Sequence, residues 1–156
     1  MILTFDAKDW WDTLAKPLRQ GEMHREGARS LSKCFVHTGS TNWGIQNLEY
    51  DAYLQRWILA VYRGKKPRYP NYDMFFISAT ATPKLARHDP YGEEILELPL
   101  CGEGIAFPYG STGTYAFGDG RYYFSQHGRD PQKGQYTHAV LYQATGREQD
   151  PFAPTA

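Results

Sequence analysis

Asn47, Glu49 and Asp51 stand at alternate positions of Ile45–Asp51, so on a strand all three side chains share one face. Glu49 and Asp51 are then roughly 6.5–7 Å apart by strand rise. Two carboxylates at such a separation can divide general-acid and general-base work in sugar hydrolysis. Asn42, Trp43, Gln46 and Asn47 lie in the same ten-residue stretch. They supply the amides and the aromatic platform that suit a sugar, whose apolar faces are ringed by hydroxyls. The competing reading of the two acids is structural, since carboxylates beside a β-turn commonly cap backbone N–H groups or stay in water.

His127 ends an apolar strand pattern and is followed by Gly128 and Arg129. An imidazole there can act as acid, base or ligand near neutral pH, and glycine admits a close partner. Sixty-five residues earlier stands Tyr62, followed by Arg63. Arg63 and Arg129 are therefore candidates for holding a carboxylate or phosphate bidentately. The plainer alternative pairs His127 with Asp130.

Other chemistries lack a signature. His24, His37, His88 and His138 are scattered without metal-ligand spacing, and two cysteines, Cys34 and Cys101, cannot form a zinc ribbon. Neither metal nor cofactor is expected. The cysteines lie 67 residues apart, close to the interval just noted, and a disulfide between them stays open. No glycine-rich loop ends in Gly-Lys-Ser/Thr, and no Gly-x-Ser-x-Gly elbow occurs. Arg63 to Tyr72 mixes four cations with aromatics, which suits a single nucleic-acid strand or an exposed charged loop. Seventeen basic and seventeen acidic residues cancel, which favours the loop and argues against nucleic acid. No apolar run is long enough to span a membrane, and the first eleven residues lack the pattern of a secretion signal, so a cytoplasmic location is the default expectation.

The elements that must position these groups read as mainly β. Fifteen glycines and ten prolines among 156 residues imply many turns, and an aromatic share of 15% suits strands and half-exposed surfaces. Strands are expected over Met1–Phe5, Lys33–Thr38, Ile45–Asp51, Arg56–Tyr62, Tyr72–Ser78, Glu94–Leu98, Glu103–Pro108, Thr114–Phe117, Arg121–Gln126 and Gln135–Ala144. Both faces of Arg56–Tyr62 are apolar, so that strand should be covered on both sides, with Trp57 in a core. Gly118-Asp119-Gly120 marks a hairpin. Asp6 reads as the cap of one short helix with Trp11, Leu14, Ala15 and Leu18 as its apolar stripe. A single β domain is expected over residues 1–146, with 147–156 as a loose tail.

The chain also repeats itself. Tyr50 to Ala79 laid on Tyr115 to Ala144 pairs Tyr50 with Tyr115, Arg56 with Arg121 and Ala79 with Ala144, and a Gly-Ser-Thr precedes each copy. The repeat spans about 45–79 and 110–144. Its order of turn, strand, hairpin, strand, loop and strand, from about Cys34 to Ala144, resembles the blades of five-bladed β-propellers of the glycoside hydrolase and lectin type. That resemblance implies two blade-like antiparallel units and a sugar ligand, but marks no catalytic residues. Two units cannot close a propeller, so the likeness implies a homo-oligomer or a missing partner segment. The alternative architecture is a single β-sandwich or barrel.

Carbohydrate binding or processing follows as the leading expectation, with binding ahead of hydrolysis; any enzyme would be a glycoside hydrolase. The ligand would be a glycan or another small polar molecule. A structural or protein-interaction module assembling through its repeats is the second reading, and a single-stranded nucleic-acid binder the third.

Overall fold

A computed structural model describes residues 1–8, 20–21, 30–39, 44–87, 92 and 94–155. The protein is mainly β: these residues form eleven strands and no helix. The apolar stripe of the expected helix lies outside them; of its start, Asp6 is described, and its Oδ1 accepts the Lys8 N–H at 3.0 Å. Two compact units divide the chain, Met1–Val36 with Pro83–Leu98, and His37–Thr82 with Pro99–Ala156.

In the first unit β1 (Ile2–Thr4) pairs antiparallel with β2 (Ser32–Cys34), and β6 (Lys84–Arg87) with β7 (Glu94–Glu97). Phe35 continues β2 alongside Glu97 in a parallel bridge, its N–H donating to the Leu96 carbonyl at 2.7 Å.

The second unit carries both copies of the repeat, and each is an antiparallel meander. The first is β3 (Ile45–Asp51), β4 (Arg56–Val61) and β5 (Met74–Ser78). The second is β8 (Thr114–Ala116), β9 (Arg121–Asp130) and β10 (Gly134–Ala144), extended by β11 (Phe152–Pro154). No sheet closes into a barrel among the described residues. The tail expected to be loose is instead partly a strand: Tyr142 pairs with Pro154, and Phe152 is buried in the core. Its prolines suit an edge strand, where a missing N–H costs no ladder bond, and the phenyl ring between them has apolar area to bury.

The two meanders pack over an aromatic core. Ile58, Ala60, Met74 and Phe76 come from the first, Tyr122, Phe124, Tyr142 and Phe152 from the second. Phe107, from the segment between them, wedges its ring 4.9 Å from Phe124, 5.4 Å from Tyr142 and 5.2 Å from Phe152. These near-perpendicular and tilted geometries set ring edges against ring faces, the arrangement the aromatic quadrupole favours. Ile105 bridges to Met74 on the β5 edge and occupies part of the stretch Glu103–Pro108 expected as a strand.

Strand β4 is covered on both sides, as its composition predicts: Ile58, Leu59, Ala60 and Val61 are all buried. Trp57 departs from that pattern. Its side chain is 37% exposed and pairs across the sheet with Tyr50, ring centroids 4.9 Å apart.

Candidate functional site

The alternation read along β3 holds, but its polar side is the one turned inward. Asn47 and Glu49 are half-buried and Asp51 fully buried, whereas Leu48 and Tyr50 are each 39% exposed. The reason lies across the gap, in the second meander. Asn47 Nδ2 donates to the carbonyls of Gly110 at 2.8 Å and Ser111 at 3.0 Å. Glu49 Oε1 accepts the Ala116 N–H at 2.9 Å, and Asp51 Oδ2 accepts the Tyr122 hydroxyl at 2.8 Å. One face of one strand thus satisfies a turn, an edge-strand amide and a buried phenol of its neighbour. Edge amides left without acceptors cost free energy when water is excluded, which is why acids and amides occupy this seam.

Asp51 is the centre of that seam. Its Oδ1 also accepts the N–H groups of Tyr53 at 3.1 Å and Leu54 at 3.2 Å, closing the β3–β4 turn. Arg56 Nε lies 3.5 Å from its Oδ2, a charge pair without hydrogen-bond geometry. Burial, and then the bond to the Asp51 carboxylate, pushes the Tyr122 phenol far above the usual tyrosine range. Burial lowers Arg56 from its ordinary value, against the opposing pull of Asp51. Glu49 and Asp51 are therefore placed together as expected, with their carboxylates engaged by the protein's own donors. Gln46 is exposed at a bulge between Ile45 and Asn47. Asn42 and Trp43 lie outside the described residues.

Arg63 does hold a carboxylate bidentately, and it belongs to this chain. Its Nε meets Asp73 Oδ1 at 3.0 Å and its Nη2 meets Oδ2 at 2.6 Å. That hydrogen-bonded pairing raises the guanidinium above its ordinary value. Asp73 is buried, so the fork neutralises a charge that would otherwise be costly to keep from water.

His127 and Arg129 remain together on an open surface. They share one face of the long β9–β10 hairpin with Gln135 and Thr137, across register pairs His127–Thr137 and Arg129–Gln135. With Thr112 these residues line a shallow cleft of about 450 Å³. Asp130 does not serve His127; its Oδ1 caps the hairpin tip through the Gln132 and Lys133 N–H groups at 2.8 and 2.7 Å. The imidazole instead stands edge-on to Tyr62, centroids 6.5 Å apart. Gly128 admits a close partner as expected, and that partner is the ring of Tyr136 laid across it from β10, where any Cβ would collide with the phenol.

The same face continues toward β8 as an aromatic patch absent from the sequence-based candidates. Tyr115 pairs across the sheet with Tyr123, and Phe117 stands between them, 5.0 Å from Tyr115 and 5.2 Å from Tyr123. Arg121, forked to Asp119, lies 5.1 Å over the Phe117 ring. Tyr115 is 56% exposed, Phe117 39% and Tyr123 42%, so three rings face solvent on β8, the turn after it and β9, whose other face is buried at Tyr122 and Phe124. Alternation in Tyr122–Ser125 could have signalled this, but both tyrosines invited burial equally.

Among the described residues no group of three His, Cys, Asp or Glu side chains forms a possible metal site, and no helix is long and apolar enough to cross a membrane. Cys34 is buried, Cys101 exposed, and both are free thiols. Both stand outside the two meanders, so the repeat does not bring them into equivalent places. Comparison with protein-family models, curated proteins and solved structures finds no match.

Proposed function

We propose that the protein is a carbohydrate-binding module whose site is the outer face of β8, β9 and β10. The observation that carries this reading is one row of side chains graded from aromatic to polar. Tyr123, Ser125, His127 and Arg129 alternate along β9, each about 6.5–7 Å from the next and so roughly 20 Å from end to end. Tyr115 and Phe117 widen the aromatic end. Thr112, whose hydroxyl donates to Ser125 Oγ at 2.6 Å, joins Gln135 and Thr137 at the polar end. An extended oligosaccharide offers matching chemistry, apolar ring faces for the tyrosines and hydroxyls for the amide, imidazole and guanidinium groups.

Binding is favoured over hydrolysis because Glu49 and Asp51 are occupied by backbone and phenol donors. The blade-like architecture belongs to the same reading. It is supported by two meanders stacked head to tail, which leaves the second with one open face.

A glycan array with the wild-type chain, followed by titration of the best ligand, tests the proposal. Tyr123→Ala and His127→Ala are each expected to weaken binding about two- to tenfold while the fold persists, an aromatic contact being worth roughly 0.5–1.5 kcal/mol. Unchanged affinity in both variants, or no glycan bound at all, removes this face as a sugar site.

A further inference from the structure

The two arginines that the sequence marks for a carboxylate meet different fates. Arg63 is closed on Asp73 of its own chain, the shortest of its hydrogen bonds 2.6 Å. Arg129 is exposed beside the cleft of about 450 Å³, and no carboxylate among the described residues pairs with it. Its neighbour Asp130 alternates to the opposite face of β9 and spends Oδ1 on the N–H groups of Gln132 and Lys133. Among the described residues that line the cleft, none is acidic.

Strand register fixes how the donors of this cleft are spaced. His127 faces Thr137 and Arg129 faces Gln135 across the hairpin. Opposite side chains lie about 4.5–5.5 Å apart at Cβ, and the two rows are about 6.5–7 Å from each other. The corners of that rectangle are an imidazole, a hydroxyl, an amide and a guanidinium fork, which donates and never accepts. A neutral sugar hydroxyl offers such a fork no counter-charge, whereas an anionic substituent accepts two parallel N–H bonds and supplies it. We infer that the sugar ligand of this face is acidic, with a carboxylate or sulfate substituent on Arg129 and Gln135, flanked by His127 and Thr137, and with ring faces running on to Tyr123. The inference rests on the outer face of β8, β9 and β10 being the sugar site and adds the charge of its ligand. Because Arg129 stays in water, the gain from this pairing is modest and falls as salt is added.

Matched pairs of saccharides test it, since they change charge and keep the rings. Calorimetric titration compares uronic-acid oligosaccharides, oligogalacturonate and oligomannuronate, with their neutral methyl esters, and dextran sulfate with dextran. In low salt at least one acidic form is expected to bind about threefold or more tighter than its neutral counterpart, and the preference shrinks as salt is raised. Arg129→Gln changes one exposed side chain and is expected to bring that ratio to about one. Tyr123→Ala is expected to weaken acidic and neutral forms together and leave the ratio in place. The uronate and sulfate arms tell which anion is held. The inference is overturned, and the sugar site left standing, if a saccharide whose binding depends on Tyr123 binds equally well in both forms, or if Arg129→Gln keeps the preference. Polyglutamate bound as tightly as the acidic saccharides would also overturn it, by making the cleft a site for any anion. No saccharide bound at all removes both the acidic ligand and the sugar site.

Discussion

The two meanders share a backbone plan and differ in what they do with it. Between β4 and β5 the register pairs Trp57 with Ile77 and Leu59 with Phe75; between β9 and β10 the positions 65 residues on, Tyr122 with Tyr142 and Phe124 with Val140, pair identically. The first hairpins differ by one residue. Asp51–Arg56 closes a loop of four residues with Gln55 at φ 50°, whereas Phe117–Arg121 closes the three-residue loop Gly118-Asp119-Gly120. Burial then inverts. Trp57 is 37% exposed where its counterpart Tyr122 is 0%, and Ile58 is 1% exposed where Tyr123 is 42%. Because side chains alternate along a strand, this inversion means that the copies meet the common core with opposite faces. The copies are stacked in tandem, one's front on the other's back. Strand β4 of the first is buried on both faces over Ile58–Val61, and β9 of the second on one.

That contrast can be broken where the copies are joined. Asp51→Ala removes the acceptor of Tyr122, Tyr53 and Leu54 and strands Arg56, and is expected to cost about 3–5 kcal/mol in chemical denaturation. A loss below about 1 kcal/mol would mean the seam does not hold the copies together. Phe124→Ala is expected to cost about 3–5 kcal/mol as a core truncation, while Trp57→Ala, truncating a pair on the opposite face, should cost distinctly less. Equal losses would abolish the asymmetry between the two β4 and β9 faces.

Tyr122→Phe keeps the ring and deletes one buried hydrogen bond, for about 1–3 kcal/mol. Its pH dependence sharpens the comparison. The folded phenol titrates above the unfolded one, so its contribution is whole below about pH 10 and is lost as pH rises beyond that. The stability gap between wild type and Tyr122→Phe should be flat through neutrality and narrow in strong alkali; a gap that widens there would refute the raised phenol. Glu49→Gln retains an oxygen acceptor for the Ala116 N–H and should change stability by less than about 1 kcal/mol, the smallest effect in the series.

Much of this was legible in residue order. Alternation identified the Asn47, Glu49, Asp51 face, and the apolar run Ile58–Val61 announced a strand buried on both sides. The pair His127 and Arg129 was marked by its place after a strong strand, and it does share an open surface. Other features were not legible because their partners are remote in sequence. Glu49 meets an amide 67 residues away and Asp51 a phenol 71 away, so nothing local distinguishes these acids from a catalytic pair. Arg63 could be read as a carboxylate receptor, yet only the fold shows that Asp73 arrives first. Tyr115, Phe117 and Tyr123 were hidden among many aromatics, since composition gives no hint of which ring faces water.

Amino-acid order determined the strands, their pairing distance and the interval between copies, because side-chain alternation and turn chemistry act within a few residues. Which face of each strand became interior was decided only when the two copies met. That meeting turned the carboxylates of the first copy into acceptors for the second and left the rings of the second in solvent.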